Sequence, residues 1–81
     1  MISNERTSYA RVIRVSFEGK EYLLTQDAYV KGTFGNDILR MQATALDENY
    51  KKVFVTWEFV HEENFELDDY DYSIATSVKY I

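Results

Sequence analysis

The sequence predicts an all-β domain: a small antiparallel meander of about five strands forming a curved sheet or small barrel, with an acidic loop or short helical turn before the last strand. Three observations point there. Apolar side chains recur with period two along several stretches and nowhere with the period of a helix. Hydrophobic residues make up 46% of the chain and aromatics 16%, the composition of a chain that can offset its conformational entropy and fold. Glutamate and aspartate fill six of the twelve positions from 61 to 72, where the alternation stops. At 81 residues there is room for one core, because a domain of this size buries only about 60% of the surface its unfolded chain exposes. A single domain spanning residues 1–81 is expected.

The first strand covers residues 9–17, where Ile13, Val15 and Phe17 alternate with Arg14 and Ser16 so that one face is buried. Glu18-Gly19-Lys20 supplies the turn. Its simplest form is a two-residue loop with Gly19 first, as a type II′ turn wants, which sets Phe17 opposite Tyr22 and Val15 opposite Leu24. A Glu18-Gly19 loop shifts those pairs and keeps the face. The second strand runs over residues 21–26, and residues 27–31 either extend it or form a separate edge strand. Gly32, Thr33, Phe34, Gly35, Asn36 and Asp37 form the one glycine-punctuated segment, which predicts a loop with Phe34 folded onto the core or left exposed.

The third strand, residues 38–46, places Leu39, Met41, Ala43 and Ala45 on one face and Arg40, Gln42 and Thr44 on the other. A polar connection over residues 47–51 leads into the fourth, residues 52–60, where Val53, Val55, Trp57 and Phe59 share a face. This is the most hydrophobic element, which predicts a central position with Trp57 as the largest core group. Residues 61–72 break the pattern, and the last strand, residues 73–80, alternates Ile74, Val78 and Tyr80 against Ser73, Ser77 and Lys79. The chain has no proline to blunt a sheet edge, so charged residues or self-association must protect it.

The absence of cysteine excludes disulfides, thiolate zinc sites and cysteine nucleophiles, and it fits a reducing compartment. The opening residues carry charge at Glu5, Arg6, Arg11 and Arg14, where a secretory signal needs an unbroken apolar stretch. No run approaches the roughly 18 apolar residues of a membrane span. A cytoplasmic protein with no membrane partner is expected. Charge is unevenly spread: residues 1–20 carry +2, residues 21–52 carry -1 and residues 53–81 carry -6, within a net -5.

Gln26-Asp27-Ala28-Tyr29, Ala43-Thr44-Ala45-Leu46-Asp47 and Val55-Thr56-Trp57-Glu58 give the chain a likeness over roughly residues 19–71. Across that span it resembles small acidic proteins from short uncharacterised bacterial and phage reading frames, in which a hairpin of this kind is followed by an acidic tail. It departs from them in having no glycine in the 47–51 turn. The resemblance implies no activity.

Chemistry at neutral pH usually needs a base near pH 7, and the chain's one histidine is His61. Beside Glu62 and Glu63 at the end of a strand, it reads as a surface residue. A carboxylate pair for glycoside hydrolysis needs a cleft that a chain this small does not offer. No enzyme and no cofactor are expected. Asp69, Asp71 and Ser73 alternate like the first ligands of a calcium loop, but Ile74 stands where the loop needs glycine and Tyr80 where it needs a bidentate glutamate, so no metal site is expected. The spacing of Gly32 and Gly35 matches a GxxG nucleic-acid clamp, which belongs between helices and beside basic surface. Arg11, Arg14 and Arg40 would form a basic strip only on adjacent strands. Direct nucleic-acid binding is not expected of so acidic a chain.

The tract over residues 58–71 is the strongest candidate site, with seven carboxylates, no lysine or arginine, and interleaved aromatics. Unpaired like charges destabilise a small fold, so they call for solvent, ions or a partner. The expected function is that of a non-enzymatic interaction protein presenting Glu62, Glu63, Glu66, Asp68, Asp69, Tyr70, Asp71 and Tyr72 to a basic protein surface. One version is a phage-type inhibitor that mimics the charge of nucleic acid and occupies the groove of a nucleic-acid-binding protein. The alternative is a structural module that forms a homo-oligomer through a strand edge, with Phe34, Val60 and Ile81 at a symmetric interface.

Overall fold

The computed structural model describes residues 9–34 and 37–81. Among them the chain forms seven strands: β1 (Tyr9–Ala10), β2 (Arg14–Phe17), β3 (Lys20–Leu24), β4 (Ala28–Phe34), β5 (Ile38–Leu46), β6 (Lys52–Val60) and β7 (Ser77–Tyr80). A 3-10 turn, Leu67–Asp69, precedes β7. The expected five-run meander is present, with its first two runs each broken once. β3 pairs with Ala45 and Leu46 at one end of β5, and β4 pairs with Ile38, Leu39, Arg40, Met41 and Gln42 at the other. β2 and β1 continue outward beyond them, while β6 and then β7 lie on the other side of β5. Residues 28–31 therefore belong to a strand separate from β3, which β1 covers at Ala28 and Tyr29 on one side and β5 flanks on the other, while Asp27 lies in the break before it.

The sheet is antiparallel, curved and open. It curls far enough for Ser16 of β2 to meet the segment before β7, where Ser16 N–H donates to Ser73 O at 2.8 Å and Ala75 N–H donates to Ser16 O at 2.9 Å. This single parallel bridge, Ser16 to Ile74, is not continued into a ladder, so no barrel closes.

The concave face holds one core. Trp57, Met41, Val15, Val53 and Val55 are its largest fully buried side chains. Small residues face larger ones across β5 and β6 at Ala43 opposite Val55 and Ala45 opposite Val53, while the two largest, Met41 and Trp57, face each other. Phe59 packs half-buried against the same cluster.

Four expectations are corrected. The first hairpin takes the alternative loop, Glu18-Gly19, in place of the simpler Gly19-Lys20 form, with φ +52° and +81°, and pairs Phe17 with Lys20 and Val15 with Tyr22. Positive φ at both central residues is the type I′ requirement, whose twist matches that of the strands, and Val15 and Tyr22 become a directly facing buried pair. Gly32, Thr33 and Phe34 are not loop: they complete β4 past a bulge between Val30 and Gly32. Gly35 and Asn36, together with the placement of the Phe34 side chain, lie outside the described residues. The centre of the sheet is β5 rather than β6, because β5 alone spans both halves of the broken second run. Finally, the last strand begins at Ser77, and Ile74 is 68% exposed instead of sharing a face with Val78. Thr76 N–H and the Ser77 pairing both fall on Thr56, and this bulge shifts the parity so that Ala75 turns inward and Ile74 outward.

Candidate functional site

At the end of β6 the chain leaves the sheet, His61 N–H donating to Asp37 O at 2.7 Å, and it returns at Ser73. Aromatic packing braces the excursion. Tyr70 stacks on Phe59 with ring centroids 4.8 Å apart, and Phe65 lies 5.2 Å from Tyr70. Tyr72 meets Phe59 and Trp57 edge-on, at 5.1 Å and 5.3 Å. Offset-stacked and T-shaped contacts of this kind suit the quadrupoles of the rings.

Hydrogen bonds fix the same segment. Trp57 Nε1–H donates to Tyr72 O at 3.1 Å and the Tyr72 hydroxyl donates to Leu67 O at 2.7 Å, while the Tyr70 hydroxyl accepts from Glu62 N–H at 3.1 Å. Burial, with the Asp68 and Tyr70 charges in support, pushes the Tyr72 phenol up to about 12. Both tyrosines thus turn toward the fold. Tyr72 belongs to the buried core, and Tyr70 is half-buried with its hydroxyl engaged.

The six carboxylates of the excursion divide into two groups. Asp69 accepts from Glu66 N–H at 2.8 Å and closes the 3-10 turn, in which Asp69 N–H returns a bond to Glu66 O at 2.9 Å. Asp71 accepts from the Ser73 hydroxyl at 2.7 Å and from Ser73 N–H at 2.9 Å, and those two donors hold its carboxyl below the usual range. Glu62, Glu63, Glu66 and Asp68 stand exposed on the outside of the turn. Among the described residues no lysine or arginine comes within 4.0 Å of any of the six. Ion pairs among the described residues lie elsewhere, Arg14 to Glu21 at 3.8 Å and Arg40 to Glu58 at 2.6 Å. Glu58, the seventh acid of the tract, is therefore neutralised on the convex face of β5 and β6.

A five-residue connection between strands of equal length sets Arg40 opposite Glu58. The arginines do not assemble into a strip. Arg14 sits on β2 opposite Leu23, which faces Leu46, while Arg40 lies opposite Gly32 at the far end of β5. His61 is exposed, and no group of three or more histidine, aspartate or glutamate side chains placed to hold a metal occurs among the described residues. Val60 and Ile81, expected at one interface, are both exposed but sit at opposite ends of β6, Val60 facing Ile38 and Ile81 bonded to Lys52.

A second polar constellation escaped the sequence reading. Asp47 Oδ1 accepts from Asn49 N–H and Lys51 N–H, both at 2.8 Å, and its Oδ2 accepts from the Tyr80 hydroxyl at 2.8 Å. The Lys51 backbone bond is the main force holding Asp47 low, and the Asp47 carboxylate in turn raises Tyr80 to about 12. This ties the end of β7 to the connection between β5 and β6. An aspartate opening a turn was the available signal.

No protein-family model matches the chain, no curated protein matches it, and no solved structure matches it.

Proposed function

We propose that the chain is a non-enzymatic interaction protein that docks through its acidic excursion on a basic protein surface. The observation behind this reading is that Glu62, Glu63, Glu66 and Asp68 project from a braced segment with no lysine or arginine among the described residues paired to them. Four like charges on one short segment repel one another, and a partner's lysines and arginines relieve that repulsion while steering association. Pre-organisation favours docking, because little of the segment has to be ordered on binding. The role of Tyr70 and Tyr72 in this reading is to hold the carboxylates in place. An inhibitor that occupies a nucleic-acid-binding groove is the form that this charge arrangement fits best.

The test is charge reversal at the outward group alone. E62K, E63K and D68K together leave Glu66, the N-cap of the 3-10 turn, and the capping aspartates intact, so the fold is expected to persist by circular dichroism. Immobilised wild type should retain basic proteins from an extract of the source cell and release them as salt rises toward about 1 M, where the Debye length falls to about 3 Å. The reversed variant should retain none of them. Retention that survives both salt and reversal refutes the proposal. Self-association through a strand edge has weaker support, because Val60 and Ile81 share no patch.

A further inference from the structure

The curled sheet leaves a seam. β2 and the segment before β7 are stitched at Ser16, and there the ladder stops: the chain turns back at Glu18-Gly19 on one side and bulges at Thr76 and Ser77 on the other. Beyond the stitch lies a cleft of about 200 Å³ lined by Phe17, Glu18, Lys20, Tyr22, Val78 and Tyr80.

Hydrogen-bond parity decides which groups face the cleft. Ile81 N–H donates to Lys52 O at 3.3 Å, so Ile81 and Lys52 form a bonded pair of the β6–β7 ladder. Bonded pairs alternate in an antiparallel ladder. Lys79 and Ser77 therefore bond to β6, while Val78 and Tyr80 direct their N–H and C=O groups away from it, toward the seam. Among the described residues no backbone or side-chain group bonds to them there. The Tyr80 ring is held by Asp47 through its hydroxyl.

We propose that this edge accepts an extended segment of a partner protein, which adds as a strand antiparallel to β7 and carries an acidic residue between two apolar ones. The register supplies each part. Guest residues bonded to Val78 and Tyr80 point, like them, to the concave side, where Phe17 and Tyr22 offer apolar surface. The guest residue between them stands opposite Lys79 on the convex side, where a carboxylate forms a cross-strand ion pair. On the cleft rim Glu18 and Lys20 offset each other, which leaves Lys79 to set the charge preference. A second copy fits poorly: pairing β7 with β7 in the register that uses all four edge groups sets Lys79 directly against its own counterpart. The lysine that bars self-pairing thus selects an acidic strand.

The test uses the full chain labelled with 15N and two acetylated, amidated pentapeptides, Ser-Val-Glu-Val-Ser and Ser-Val-Lys-Val-Ser. At millimolar concentration the glutamate peptide should slow amide exchange at Val78 and Tyr80 and bind about three- to tenfold more tightly than the lysine peptide. Lys79→Glu, an exposed change, should reverse the preference with the fold intact by circular dichroism. Unchanged exchange at those two amides, equal binding of both peptides, or a homodimer in sedimentation with both amides protected would each overturn the proposal. Because the outward carboxylates of the excursion are untouched in every arm, failure here leaves the acidic docking reading standing.

Discussion

Tyr72→Phe isolates the brace beneath the acidic excursion. The substitution removes one hydroxyl and keeps the ring against Trp57 and Phe59. What is lost is the 2.7 Å bond to Leu67 O, which ties the 3-10 turn to the core. An intramolecular hydrogen bond contributes about 0.5–1.5 kcal/mol net, and the half-exposed carbonyl left behind can be rehydrated, so about 1 kcal/mol is expected. For a domain of this size that lowers Tm by about 4–8 °C, measured by circular dichroism at pH 7. Alkaline pH adds a second readout. The folded-state phenol is raised from 10.0 to about 12, so its contribution is complete below about pH 10 and is lost as pH climbs through about 12. The variant should destabilise less steeply across that window, retaining only the slope from Tyr80, which is raised to about 12 as well. A melt within about 1 °C of wild type, with an unchanged alkaline slope, would refute the brace.

Trp57→Ala removes the largest fully buried side chain and should cost about 3–5 kcal/mol, enough to abolish a cooperative thermal transition in so small a domain. Tyr50 holds φ +64° while 79% exposed, in the turn that lacks a glycine; Tyr50→Gly trades about 1–2 kcal/mol of left-handed strain against about 0.5–1 kcal/mol of chain entropy and should raise Tm slightly. Tyr80→Phe removes one of the donors to Asp47, so the Asp47 carboxyl should titrate closer to 3.8 and acid unfolding should begin at higher pH; the Lys51 backbone bond remains, so the shift is partial. Both depressed aspartates, Asp47 and Asp71, contribute stability above 3.8 that is lost as pH falls, which an acid titration of wild type should show.

Where the chain alternates without interruption, as in β5 and β6, residue order alone located the strands and their buried faces. The failures share a physical origin. Thr25, Gln26 and Asp27 contain no glycine or proline, yet the chain breaks there, because the break is held by distant partners: Thr25 Oγ1 lies 2.7 Å from Thr44 Oγ1, and Gln26 Oε1 accepts from Thr44 N–H at 3.0 Å. The bulge at Thr76 likewise depends on Thr56, and it moved Ile74 to the opposite face from the one its spacing suggested. In the acidic excursion the charges were visible from composition. The division of labour among them was not, since it depends on which carboxylate the 3-10 turn brings to a backbone N–H.

That division changes how the charge imbalance reads. Asp69, Asp71 and Glu58 each have a local partner, so three of the seven acids are explained by the fold itself. The other four occur only where β6 exits the sheet. Of the five lysines, Lys20, Lys51, Lys52 and Lys79 lie at the opposite end, around the first hairpin turn, the connection after β5 and the end of β7. An antiparallel meander makes such polarity easy, because all its odd turns fall at one end and its even turns at the other. A partner that is basic over one patch and acidic along an extended segment could then be met at both ends, with orientation set before any side chain is in contact. Reversing the outward carboxylates should weaken only the first contact, and Lys79→Glu only the second, so the two charge changes acting independently on binding is the outcome this polarity requires.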